Sequence, residues 1–117
     1  METGTLYITV LFFKQEGRWL AQALEYDLAA QGENVDAAKR AFERTFLGQL
    51  ELDRRMNRAP LSRLPQAPSV FWEIFRRTVE ERTPLTTERI EGDPPSNTPP
   101  AFMVQAFPSI AAEMGGR

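Results

Sequence analysis

The stretch Gly17–Leu50, GRWLAQALEYDLAAQGENVDAAKRAFERTFLGQL, decides the fold. It joins two short strands to a helix with almost no slack between them. Gly17 can take the positive φ that a hairpin needs, so Arg18–Leu24 reads as a strand returning from that turn. Glu25–Asp27 bends the chain, and Leu28–Gln31 forms a short third strand ending at Gly32. Two connections this tight imply an antiparallel meander. Asn34 then stands as a helix N-cap, with Asp36 placed to favour the positive end of the helix dipole. The capping box is incomplete, because Ala37 occupies the position of its Glu or Gln. Val35, Ala38, Phe42, Thr45, Phe46, Gln49, Leu50 and Met56 fall within about 100° of one another on a 3.6-residue wheel. Arg40, Glu43, Arg44, Glu51 and Arg54 take the other side. A first helix is therefore expected over about 35–55. Gly48 inside it costs roughly 1 kcal/mol relative to alanine, and close packing is the expected reason for it.

Outward from that stretch, Leu6–Phe13 (LYITVLFF) is apolar in both alternating sets. Leu6, Ile8, Val10 and Phe12 form one set, and Tyr7, Leu11 and Phe13 lie in the other. A strand of this kind wants cover on both faces and belongs in the middle of a sheet. On the C-terminal side, Pro60, Pro65 and Pro68 make Ala59–Pro68 a rigid connector. Ser69 is expected to cap a second helix over about 70–82, bearing Phe71, Ile74, Phe75 and Val79. Residues 83–100 read as a Pro-rich connector, irregular or partly disordered. Ala101–Phe107 (AFMVQAF) recovers strand character, and residues 108–117 read as a flexible tail with at most a short helical turn at Ile110–Met114.

The expected architecture is α+β in the order β-β-β-α-(α)-β, one domain over residues 1–107. A strand reached through helices after a meander can dock parallel to the first by a right-handed crossover. This gives a four-stranded mixed sheet in the order 3-2-1-4, with strands at about 6–13, 18–24, 28–31 and 101–107. The first helix covers one face. The opposite face awaits the second helix or another subunit.

Composition bounds the function. A chain of 117 residues, 42 % apolar and 26 % charged, suits one soluble globular domain. A formal charge of −2 supplies no long-range field for nucleic acid or an anionic membrane. No apolar run is long enough to span a bilayer, no secretory signal is visible at the start, and the absence of cysteine makes the cytoplasm the expected compartment. Without histidine or cysteine, zinc sites of nitrogen and sulfur ligands, cysteine nucleophiles and histidine bases are all excluded. No cofactor or metal is expected. The topology is also the opening half of the ribonuclease H fold, whose two-metal chemistry needs carboxylates on the first strand, first helix and fourth strand. Leu6–Phe13 and Ala101–Phe107 have none, and Glu43 stands alone on the helix. Glu25 and Asp27 flank Tyr26 at a turn, where carboxylates ordinarily satisfy turn amides.

Two clusters remain. Arg54, Arg55, Arg58 and Arg63 could recognise phosphate through their planar forks. Against that, Glu51 and Asp53 lie in the same turn, and basic groups suit a helix C-terminus, so a solvated face or partner rim is the favoured reading and RNA association the alternative. Phe71, Trp72, Phe75 and Val79 form the strongest apolar concentration outside the sheet, read as core or as an interface; Phe71, Trp72 and Phe75, with Phe102 and Val104 of the fourth strand, are the residues expected at a partner or dimer interface.

Trp19-Leu20-Ala21-Gln22, then Leu24-Glu25-Tyr26-Asp27-Leu28, Gln31-Gly32, and Ala37-Ala38 with Phe42 at helical spacing resemble the N-terminal domain of HicB-like antitoxins. The resemblance covers roughly Leu6–Leu52, with an echo in Ala101–Phe107. It implies a partial ribonuclease H-like fold, no enzyme activity, self-association as a homodimer, and the binding and masking of a small mRNA-cleaving toxin. Such antitoxins usually continue into a DNA-binding domain. This chain ends about ten residues after its last strand, so DNA binding is not expected and an orphan form is.

Overall fold

The computed structural model describes residues 6–80 and 100–107. Their element order is β1 (Leu6–Gln15), β2 (Arg18–Ala23), β3 (Ala29–Gly32), α1 (Val35–Arg55), α2 (Ser69–Glu80) and β4 (Ala101–Phe107). Most of the expected connector, the expected end of the second helix at residues 81–82 and the expected tail lie outside the described residues.

The β1–β2 hairpin closes through two residues, because Gln15 pairs with Arg18. Glu16 and Gly17 both have positive φ, 54° and 81°. Such a pair builds the type I′ turn, whose twist matches the strands it joins. β2 pairs antiparallel with β3 from Trp19 opposite Gly32 to Gln22 opposite Ala29, completing the meander. The sheet runs β3-β2-β1-β4, so β1 is interior, as its doubly apolar pattern requires.

One expectation fails. β4 does not run parallel to β1: the two are antiparallel, from Leu6 opposite Phe107 to Phe12 opposite Ala101, and the sheet is wholly antiparallel rather than mixed. The reason lies in α2. Its Phe71 ring sits 5.9 Å from that of Phe13 and its Phe75 ring 5.1 Å from that of Phe102. The helix thus lies over the sheet end where β1 finishes and β4 begins, and a chain entering β4 at that end must run against β1. A single crossover through α1 would have delivered it to the other end.

α1 covers the first face. Leu6, Ile8, Val10 and Phe12 of β1 and Trp19, Ala21 and Ala23 of β2 pack against Val35, Ala38, Phe42 and Phe46. Phe46 also stacks on Phe107, ring centroids 4.2 Å apart. Full burial of each such side chain contributes about 1.5–3 kcal/mol, so this layer holds most of the fold together. Asn34 caps the helix as expected, its side-chain oxygen accepting from the Ala37 N–H at 2.8 Å. The apolar stripe is shorter than the wheel suggested. Thr45 is exposed and so is Met56, while the stripe ends in the carboxylate of Asp53, which is fully buried. Gly48 is not a packing glycine either: a Cβ built there meets nothing within 4 Å. Ser69 is already the first residue of α2, and the Phe71 N–H donates to the Pro68 carbonyl before it.

The glycine that packing does demand is Gly32. A Cβ there would lie 2.4 Å from the Ala38 nitrogen and 2.6 Å from the Ala37 carbonyl carbon. β3 runs directly into the first turn of α1, and only a hydrogen fits between the two backbones.

Candidate functional site

The acidic turn after β2 is built into the scaffold. β2 diverges from β1 at Leu24, whose N–H donates to the Thr9 carbonyl at 3.0 Å. The Thr9 N–H would be left without a strand partner there, and the Glu25 carboxylate takes it at 2.8 Å. The Leu24 carbonyl accepts from the Ala67 N–H of the proline connector, and the Asp27 N–H donates to the Pro65 carbonyl. Gln22 donates through Nε2 to Asp27 Oδ1 at 2.9 Å. Glu25 and Asp27 therefore fasten the turn and the connector together.

Asp53 does the same at the far end of α1. Its Oδ2 accepts the Leu61 N–H at 2.8 Å, and its Oδ1 accepts from Gln49 and from Arg58. The Arg58 guanidinium lies 3.0 Å away and is itself largely buried. Leu61 is in the core yet adopts a φ of 62°, a left-handed conformation that a bulky residue holds only when its surroundings impose it. A charge-assisted bond to its N–H is part of that imposition.

The arginine cluster is consequently divided. Arg58 belongs to the buried network. Arg54 and Arg55 both bond Glu51, at 2.6 and 3.0 Å, in solvent. The hydrogen bonds from Arg54 and then Arg55 hold the Glu51 carboxyl below the usual range, and the bond from Glu51 raises Arg54. Arg63 is exposed in the connector. Three of the four cationic groups thus already share carboxylates.

The aromatic cluster is brought together. Phe71 and Phe75 lie on the second face against Phe13 and Phe102, and Trp72 meets Phe75 edge to face at 6.5 Å. α2 nevertheless covers only part of that face. Leu11 beneath it is fully buried, while Tyr7 and Val104 are 62 % and 53 % exposed. On the outer side of α2 a shallow hollow of about 460 Å³ is lined by Trp72, Phe75 and Val79 and rimmed by Glu73, Arg76 and Glu80. Arg76 bridges both acids, at 2.6 and 3.4 Å, so the rim keeps one net negative charge around an apolar hollow.

β4 is a sheet edge, and its outer side carries a second concavity. Between this strand and α1 lies a groove of about 280 Å³ lined by Lys39, Glu43 and Met103–Phe107. Gln105 stands in it, donating through Nε2 to Glu43 Oε2 at 2.9 Å, while its Oε1 is buried and accepts no hydrogen bond from the described residues. Sequence reasoning missed both Gln105 and Asp53. The signals were present: each is a polar residue at a core-facing step of an otherwise apolar series.

For metal chemistry, the described residues contain no group of three or more Asp or Glu side chains able to hold an ion. Among them no helix is long and apolar enough to cross a membrane. No protein-family model, no curated protein and no solved structure matches the chain.

Proposed function

We propose that the protein is a non-enzymatic, HicB-like protein-interaction module, with a small mRNA-cleaving toxin as the first partner to test. The observation that supports this reading is the division of polar and apolar groups. Glu25, Asp27 and Asp53 are engaged by donors inside the scaffold, whereas Val70, Val79, Tyr7 and Val104 face outward around α2 and β4. These three carboxylates are spent on structure, and the four outward-facing side chains present apolar surface. Such surface marks sites of protein contact.

A toxin of this kind would be masked by occlusion. The apolar hollow along Trp72 and Val79 offers an anchor site with polar flanks, the arrangement that concentrates binding energy in protein interfaces. The test is co-expression with a short basic protein encoded in the adjacent reading frame. The expected result is co-purification and loss of that protein's mRNA cleavage, with Trp72→Ala weakening both. Free toxin that cleaves mRNA unhindered in the presence of excess folded protein refutes the proposal. RNA association through Arg54, Arg55, Arg58 and Arg63 is the alternative. It requires retention of a single-stranded RNA that falls steeply with salt and disappears on Arg54→Ala with Arg55→Ala.

A further inference from the structure

We propose that β4 pairs with β4 of a second copy across a two-fold axis at Val104, extending the two sheets into one. This rests on the interaction-module reading only in assigning function to contact surfaces. It concerns a different edge from the α2 hollow and is tested without any toxin.

Thr9 directs its N–H and carbonyl towards Glu25 and Leu24 on the β2 side. Successive residues of an interior strand alternate sides, so Ile8 and Val10 turn towards β4, where they face Gln105 and Met103. Phe102, Val104 and Ala106 are left pointing their N–H and carbonyl groups away from the sheet. This edge is seven residues long and contains no charge and no proline, and among the described residues no further strand pairs with it.

The side chains then choose the partner. An antiparallel match about Val104 sets Val104 against itself, Phe102 against Ala106, and Met103 against Gln105. On the second face the small Ala106 lies between exposed Tyr7, its cross-strand neighbour, and Phe102 of the partner subunit. On the first face, Glu43 bonds Gln105 and Phe46 stacks on Phe107. A helix rises about 1.5 Å per residue and a strand about 3.3 Å, so Lys39, one turn before Glu43, stands level with Met103. Exchanging Met103 and Gln105 across the axis therefore brings Lys39 towards the partner's Glu43, twice over. A second copy is complementary to this edge in backbone, shape and charge at a single register.

Sedimentation velocity of the full chain decides the matter. The expected result is a dimer at micromolar concentration. Val104→Pro should be a folded monomer, because it removes only an outward N–H and spares the bonds to β1; circular dichroism and urea denaturation confirm that it folds. Lys39→Glu and Glu43→Lys should each weaken the dimer, and the double exchange Lys39→Glu with Glu43→Lys should restore it. Three results overturn the proposal: a monomeric parent protein at high micromolar concentration, a dimer that survives Val104→Pro, or a charge exchange without rescue. None of these outcomes bears on toxin binding.

Discussion

Two glycine-to-alanine substitutions in this chain should have opposite signs, and the structure supplies both magnitudes. At Gly32 a new Cβ would stand 2.4, 2.6 and 2.8 Å from the Ala38 nitrogen, the Ala37 carbonyl carbon and the Ala38 Cα. Ordinary contact begins near 3.4 Å, so β3 and the first turn of α1 must separate by about an ångström. All three obstacles are backbone, so no side chain can swing aside. Overpacking typically costs about 1–3 kcal/mol, and a rigid obstacle puts Gly32→Ala at the top of that range, near 3 kcal/mol. The displacement also lifts Val35 and Ala38 from the core. At Gly48 a Cβ meets nothing, and replacing a mid-helix glycine should stabilise by about 1 kcal/mol. The assay is urea unfolding followed by fluorescence, with Trp19 buried in the core as the reporter. With a slope of about 1.5 kcal/mol per molar, Gly32→Ala should lower the midpoint by about 2 M and Gly48→Ala raise it by about 0.7 M. A Gly32→Ala protein with the parental midpoint would show that β3 and α1 are not in this close approach.

Asp53→Ala should destabilise by about 3 kcal/mol, the lower end of what breaking a buried pair costs, because the Arg58 side chain retains some access to water; the same urea titration measures it. Glu25→Ala should cost about 1–3 kcal/mol by leaving the Thr9 N–H without its acceptor, and hydrogen exchange at Thr9 should accelerate more than at Val10. Phe75→Ala, which removes the ring between Trp72 and Phe102, should cost about 3 kcal/mol and shift Trp72 emission to the red. Glu51 contributes only at pH values above its unfolded pKa, and that contribution is lost as the pH falls through its lowered folded value. Because the pair is fully in solvent, Glu51→Gln should leave the midpoint almost unchanged and abolish any salt dependence that Arg54 and Arg55 confer.

What could be read in the chain beforehand followed how locally each feature is determined. β1 declared itself interior because Ile8, Val10 and Phe12 alternate with Leu11 and Phe13, and no single-faced strand needs both sets apolar. α1 was visible in the spacing of Val35, Ala38, Phe42 and Phe46 and in the oxygen of Asn34. The direction of β4 was not visible, since AFMVQAF has the same pattern read either way and its entry point depends on where α2 lies. Periodicity likewise placed Met56 on the stripe and passed over Asp53, because a wheel ranks residues by hydropathy and does not register the backbone donor at Leu61 that repays burying a carboxylate. The two structural glycines were distinguishable only by distance. Gly32 and Gly48 look alike in sequence, and the approach of Ala38 separates them. For the candidate surfaces, residue identities were legible and their state was not. Glu51 could be placed in the same turn as Arg54 and Arg55, but that it bonds both of them is visible only in the structure.

The two edges of the sheet differ in a way that bears on how association would end. β3 is four residues long and closes at Gly32 against α1, so it offers little ladder to an incoming strand. β4 offers seven uncharged residues. Self-pairing through an edge is hazardous when both edges are open, because each addition leaves a new template and growth continues into fibres. Here a two-fold match at Val104 consumes both β4 edges at once and leaves only the short β3 edges at the ends of an eight-stranded sheet. Association should therefore stop at two copies: sedimentation over a hundredfold range of concentration should show monomer and dimer and nothing heavier. A series of larger species growing with concentration would mean that β4 meets a different surface of its neighbour, head to tail, and that the symmetric exchange of Lys39 and Glu43 does not form.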